Sequence, residues 1–180
     1  AFTTEAESGG GVLIDWGVHF FDLVYYVLGG FKLKNITCDA YSEMAKDMKS
    51  YKYESMWAED TKNVETGTND VDDFITGYVR TDKASISFNG AWAQNIGKTE
   101  MFIDFMGDKG GCRINYYTKE FTVYTTKDGE LYEYTPEFES NVQIATEIDE
   151  FLDCIKSGKK LSNHIDTNII TAKMMQAIYD

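Results

Sequence analysis

The chain has 180 residues, 43% hydrophobic and 14% aromatic, which excludes a disordered polymer and supplies enough apolar material for a domain-sized core. Thirty acidic against seventeen basic side chains give a formal net charge of −13, so polyphosphate is repelled and nucleic acid is not an expected partner. No run approaches the roughly 20 apolar residues of a membrane span, and AFTTEAESGG lacks the basic-then-apolar order of a signal peptide; the expected location is cytoplasmic, with no membrane partner.

In chain order, Val12, Leu13, Trp16, Phe20, Leu23, Val24 and Val27 recur at steps of three and four and predict an amphipathic helix from Gly11 to Leu28. Ser8 is its expected N-cap and Gly29-Gly30 its stop. Alternating runs then predict strands over Lys32 to Tyr41, Val71 to Arg80, Ala84 to Ala93, Thr99 to Gly107, Gly111 to Tyr117, Phe121 to Thr126 and Leu131 to Thr135. In the third of these, Ile86, Phe88 and Trp92 fall on one face and Ser85, Ser87 and Asn89 on the other. Asp128-Gly129 suits a primed hairpin turn. Ser42 to Asn69 is polar, rich in tyrosine and weakly periodic, and reads as a long excursion.

Helical spacing returns with Ile144, Ile148, Phe151, Leu152 and Ile155, stopping at Gly158, and a last helix is expected from Asp166 as N-cap. This order predicts an α+β fold: a large, mainly antiparallel open sheet with helices packed on one face, in a single domain over 1–180. The uncovered face would carry Tyr78, Trp92, Phe102 and Tyr116, so a partner subunit or neighbouring domain is expected to cover it, which makes a homo-oligomer the expected state.

Several chemistries are disfavoured. Cys38, Cys112 and Cys154 are odd in number and lack C-x-x-C spacing, so they read as reduced, packed thiols. Two distant histidines argue against zinc, and no metal is expected. There is no H-E-x-x-H, G-x-S-x-G or Walker loop; GDKGG reads as a tight turn between strands and His164 as a loop or cap residue.

One constellation stands out. Asp15, His19, Asp22 and Tyr26 are offset by four, seven and eleven residues, which on a straight α-helix confines them to a band of about 60°. Histidine exchanges protons near neutral pH, and an aspartate one turn before it can orient the ring or bind a substrate hydroxyl. Spacing alone equally allows an ordinary helix-surface pair, and that is the commoner explanation of a bare D-x-x-x-H.

The longer pattern G-G-G-x-x-x-D-x-G-x-H-x-x-D, filled by Gly9, Gly10, Gly11, Asp15, Gly17, His19 and Asp22, resembles the signature that opens the C-terminal domain of the Gfo/Idh/MocA oxidoreductases. The resemblance continues in VDDFITGYVR, ASISFNGAWAQNIG, EMFIDFMGDKGGCRI and EIDEFLDCIKSGKK. It implies a two-domain enzyme in which a preceding Rossmann domain binds NAD or NADP and this domain meets a sugar, cyclitol or related polyol substrate. It also implies Asp15 and His19 as the catalytic pair, His19 passing the proton, with Asp22 structural and Asn95 a candidate for reaching the substrate. The sequence lacks a G-x-G-x-x-G after a strand and the family's E-K-P motif, whose lysine completes its active site. No cofactor is therefore expected to bind this chain, which starts at Ala1 and reads as the C-terminal part of a longer protein, inactive without its cofactor domain. A non-catalytic binding or assembly module of the same fold, and a relative that cleaves glycosides through an oxidation-elimination route, are the alternatives.

Overall fold

The glycine run near the start of the chain ends one helix and begins another. The computed structural model describes residues 3–43, 46, 69–92, 94, 96–138, 143–161 and 163–180. They fall into two compact units, one drawn from Ala1–Asn95 with Ser162–Asp180 and the other from Ile96–Leu161. In the first, helix α1 (Glu5–Ser8) stops at Gly9, whose φ of 74° is the left-handed conformation that suits glycine at a helix end. A π-helical turn over Leu13–Gly17 then runs directly into α2 (Val18–Val27), and Gly29 and Gly30, at φ 62° and 75°, end it as expected.

Ser8 does not cap this helix. It belongs to α1, and its hydroxyl donates to the carbonyls of Thr4 (3.0 Å) and Gly10 (2.8 Å). The cap comes from Asp72. Its Oδ1 accepts from the Gly11 N–H at 2.7 Å, its Oδ2 from Leu13 N–H at 2.9 Å and its main-chain carbonyl from Val12 N–H at 2.8 Å. One residue thus satisfies donors that a helix start leaves without an intrahelical partner. The Tyr179 hydroxyl donates to the same Oδ1 at 2.7 Å. This geometry explains the third glycine: a Cβ on Gly11 would lie 2.8 Å from the Asp72 nitrogen and overlap its carbonyl.

Strands β1 (Leu33–Tyr41), β2 (Phe74–Thr81) and β3 (Ser85–Ala91) form an antiparallel sheet in the order β1-β2-β3, with Val79 opposite both Ile36 and Ile86. Helix α4 (Ile165–Tyr179) packs against β1 and α2. Between helices and sheet lie Leu13, Phe21, Val24, Ile75, Val79, Met174 and Ile178, all buried. Helix α4 starts two residues earlier than expected. His164, not Asp166, is its N-cap, with Nδ1 accepting from the Asp166 N–H at 3.2 Å, because a neutral imidazole nitrogen can replace a cap oxygen. Trp92 lies just past the end of β3.

The second unit is a four-stranded antiparallel meander, β4 (Phe102–Gly107), β5 (Gly110–Asn115), β6 (Glu120–Lys127) and β7 (Glu130–Tyr134), followed by α3 (Gln143–Ser157). GDKGG forms the β4–β5 turn, and Asp128 and Gly129, at φ 54° and 82°, make the primed turn between β6 and β7. Among the described residues of this unit none is buried. Ile144, Ile148, Phe151, Leu152 and Ile155 on α3 are 42–73% exposed. The fold is α+β and antiparallel, as the sequence predicts, with its strands divided between two sheets. Most of the Ser42 to Asn69 excursion lies outside the described residues.

Across the β4–β5 pair, Arg113 Nε and Nη2 donate to Asp104 Oδ1 and Oδ2, each at 2.6 Å, and the guanidinium carbon lies 4.2 Å from the centre of the Phe102 ring. This two-point hydrogen bond holds the Asp104 carboxyl below the usual carboxylate range.

Two expectations follow from these contacts. Asp72→Ala leaves buried N–H donors without acceptors and should cost about 3 kcal/mol in urea unfolding, against about 1 kcal/mol for Tyr179→Phe. Asp104 stabilises the fold fully above the unfolded carboxyl value of about 4, and that contribution disappears as pH falls through the lower folded value. The stability gap between the parent and Asp104→Asn should therefore be present at about pH 6 and shrink toward about pH 3 in paired denaturation curves.

Candidate active site

The Asp72 cap fixes the first turn of a helix, and the next residues along it are the ones that the signature singles out. Asp15 sits in the middle of the π-helical turn and is half-buried; its N–H donates to the Gly11 carbonyl at 3.0 Å. His19 is the second residue of α2 and is exposed. The Trp16 ring meets the His19 ring edge-on, with centroids 6.3 Å apart and planes at 70°, and also lies 6.5 Å from Phe20.

A wide turn holds more residues than an α-turn, so the angular band expected for a straight helix does not apply across it. The partners diverge accordingly. The Asp15 Oδ2 accepts from the Trp92 indole Nε1 at 3.0 Å. Asp22 accepts from the Thr171 hydroxyl at 3.4 Å, which ties α2 to α4, while Tyr26 is exposed. Among the described residues, Asp15 and His19 share no hydrogen bond. Asn95 lies outside the described residues.

Trp92 is itself anchored. Its N–H donates to the Asp73 carbonyl at 3.2 Å, and the Asp73 N–H donates to the Tyr41 carbonyl at 2.8 Å. Asp72 and Asp73, adjacent in sequence, therefore hold the helix start on one side and the backbone of Trp92 on the other. Trp92, Asp72 and Tyr179 are the residues that sequence reasoning missed. The available signal was the acidic pair in VDDF, two adjacent carboxylates beside an apolar run.

Burial shifts the titration of three side chains in the chain. Burial, reinforced by the Asp72 carboxylate, pushes the Tyr179 phenol well above its ordinary range, so the hydroxyl keeps its proton and stays a donor. Burial, with a neighbouring carboxylate in each case, pushes the Cys38 and Cys112 thiols up, which disfavours the thiolate needed for nucleophilic work. The Cys38 thiol donates to the Ile178 carbonyl at 3.2 Å, and all three cysteines are free. Among the described residues no group of three or more His, Cys, Asp or Glu side chains is placed to hold a metal. No helix among them is long and apolar enough to cross a membrane.

Comparison with known proteins gives this arrangement a context. Residues 3–180 match the family described as "Oxidoreductase family, C-terminal alpha/beta domain". The D-glucoside 3-dehydrogenase of Escherichia coli (strain K12) is 30% identical over 130 residues, covering 72% of this chain and 34% of that protein. An oxidoreductase domain protein from Kribbella flavida has a similar fold, with a TM-score of 0.76 at 14% identity over 98% of this chain and 50% of that one. So does GenD2 from gentamicin A biosynthesis, solved in complex with NAD, with a TM-score of 0.67 at 20% identity over 99% of this chain and 47% of that one. This chain spans between about a third and a half of the length of these relatives. With the family pattern matched from residue 3 to residue 180, the chain belongs to the Gfo/Idh/MocA oxidoreductases, as their C-terminal α/β domain.

Proposed function

We propose that this chain is the substrate-side domain of an NAD- or NADP-dependent dehydrogenase that oxidises a secondary hydroxyl of a sugar, glucoside, cyclitol or related polyol. The observation that carries the reading is the placement of Asp15 and His19 at the start of one tightly capped helix, the carboxylate held by an indole and the imidazole open to a ligand. His19 takes the hydroxyl proton as the alcohol becomes a ketone, and returns it in the reverse direction. Asp15 accepts from a substrate hydroxyl or orients the imidazole. Asn95, three residues beyond Trp92, is a further candidate for substrate contact. The 30% identity to a D-glucoside 3-dehydrogenase supports a sugar or polyol as substrate.

A bound nicotinamide supplies the acceptor for the hydride that leaves the substrate carbon. The residues of this chain fit the proton-handling half of that reaction and not a dinucleotide cradle: the sequence has no G-x-G-x-x-G, and GDKGG is taken up by the β4–β5 turn. We therefore assign the dinucleotide to a Rossmann domain outside this chain, and residues 1–180 to one functional C-terminal domain that does not turn over alone. NAD in the GenD2 structure supports a nicotinamide cofactor. Exposed Tyr78, Phe102 and Tyr116, together with the apolar stripe on α3, support association into a homo-oligomer. Free cysteines support a reducing, cytoplasmic setting.

The test is turnover by the full-length protein with NAD or NADP and a panel of methyl β-D-glucoside, D-glucose and myo-inositol, read as formation of reduced nicotinamide. His19→Ala should lower kcat by about 100-fold or more, and Asp15→Ala by a comparable factor. Wild-type turnover in His19→Ala would overturn the proton-transfer role of His19, and no oxidation of any panel member would overturn the dehydrogenase reading in favour of a binding or assembly module.

A further inference from the structure

We propose that Trp92 is a positioning residue for this site, acting through Asp15; the inference rests on the dehydrogenase reading above. The contact joins chain positions 77 residues apart, with Nε1 donating to Oδ2 at 3.0 Å. An indole N–H can only donate, so the contact fixes Oδ2 as an acceptor. Among the described residues the other oxygen, Oδ1, has no hydrogen-bond donor. The carboxylate is thereby divided: one oxygen is anchored to the sheet, and its twin is left for a substrate hydroxyl or for the His19 ring.

The anchor is held at its backbone as well as at its ring. Trp92 follows β3 directly, and its backbone is tied to the Asp73 carbonyl, one residue from the carboxylate that caps the Asp15 helix. Movement of the helix start relative to Trp92 would have to break bonds to two adjacent residues. An aspartate has two free side-chain torsions, and a single hydrogen bond from a rigid ring selects one arrangement of them. Asp15 sits in the π-helical turn, and such turns are frequent at functional sites.

Trp92→Phe keeps an aromatic ring and removes the donor, and it separates this role from simple packing. In the full-length protein, with the best substrate of the panel above, it should lower kcat by about 10-fold with a smaller change in KM, the scale on which a hydrogen bond to a charged group acts. In an Asp15→Ala background the same substitution should cost less than about 2-fold, because the group it positions is gone. A purely structural tryptophan would lower turnover equally in both backgrounds, and that result overturns the proposal. So does full turnover in Trp92→Phe alone.

If Asp15→Ala turns over normally, the active-site reading falls and this inference with it; if Asp15→Ala is impaired while Trp92→Phe is not, only the inference falls. A second measurement needs no turnover. In the full-length protein labelled with 15N and 13C, the Trp92 indole resonance, assigned by through-bond correlation in the parent, should shift in Asp15→Ala. A resonance that does not move shows that the contact is absent and overturns the proposal even where Trp92→Phe folds poorly.

Discussion

The carboxylate of Asp72 is buried where a helix begins, and nearly every feature of the candidate site is arranged around it. It receives the main-chain N–H groups of Gly11 and Leu13, the Asp72 main-chain carbonyl receives that of Val12, and a tyrosine from the last helix closes the set. Burying a carboxylate is unfavourable unless its oxygens are satisfied, and here the donors are supplied by the same backbone that needs acceptors. The two requirements cancel each other. Gly11 follows from this, because the approach leaves no room for a Cβ.

Much of the fold is legible in the sequence. Among the described residues, each strand lies within or beside a run that the sequence marks out, most plainly in β3, where a half-buried strand writes its two faces into successive residues from Ser85 to Asn89. The primed turn at Asp128-Gly129 is local chemistry and equally readable. What eludes the sequence is the cap that comes from 61 residues away, because no local pattern links Gly11 to Asp72. Ser8 has the right chemistry for a cap, and the chain uses it inside α1 instead. The division of the strands between two sheets is likewise invisible, since alternation fixes a strand's faces and not its neighbours.

For the site, the signature singles out Asp15 and His19 but says nothing of how they are held. Helical periodicity assumes a uniform turn, and the π-helical turn breaks that assumption at Asp15. Trp92 reads in the sequence as one more apolar residue on a strand face; only the third dimension shows that its single polar atom reaches a carboxylate. A motif can thus nominate candidate residues, whereas their orientation depends on contacts between distant segments.

The Tyr179 to Asp72 contact spans 107 chain positions, while the β4–β7 meander pairs only consecutive strands. During synthesis the meander can close hairpin by hairpin as it leaves the ribosome. Strands β1 to β3 also pair in sequence order, but α4, the last element among the described residues, has to emerge before the core of the first unit can be covered. Until then Leu13, Phe21 and Val79 remain without their α4 neighbours, and the helix carrying Asp15 and His19 is only partly fastened. The order of synthesis within this chain therefore makes the helix that carries Asp15 and His19 one of its last parts to become fixed.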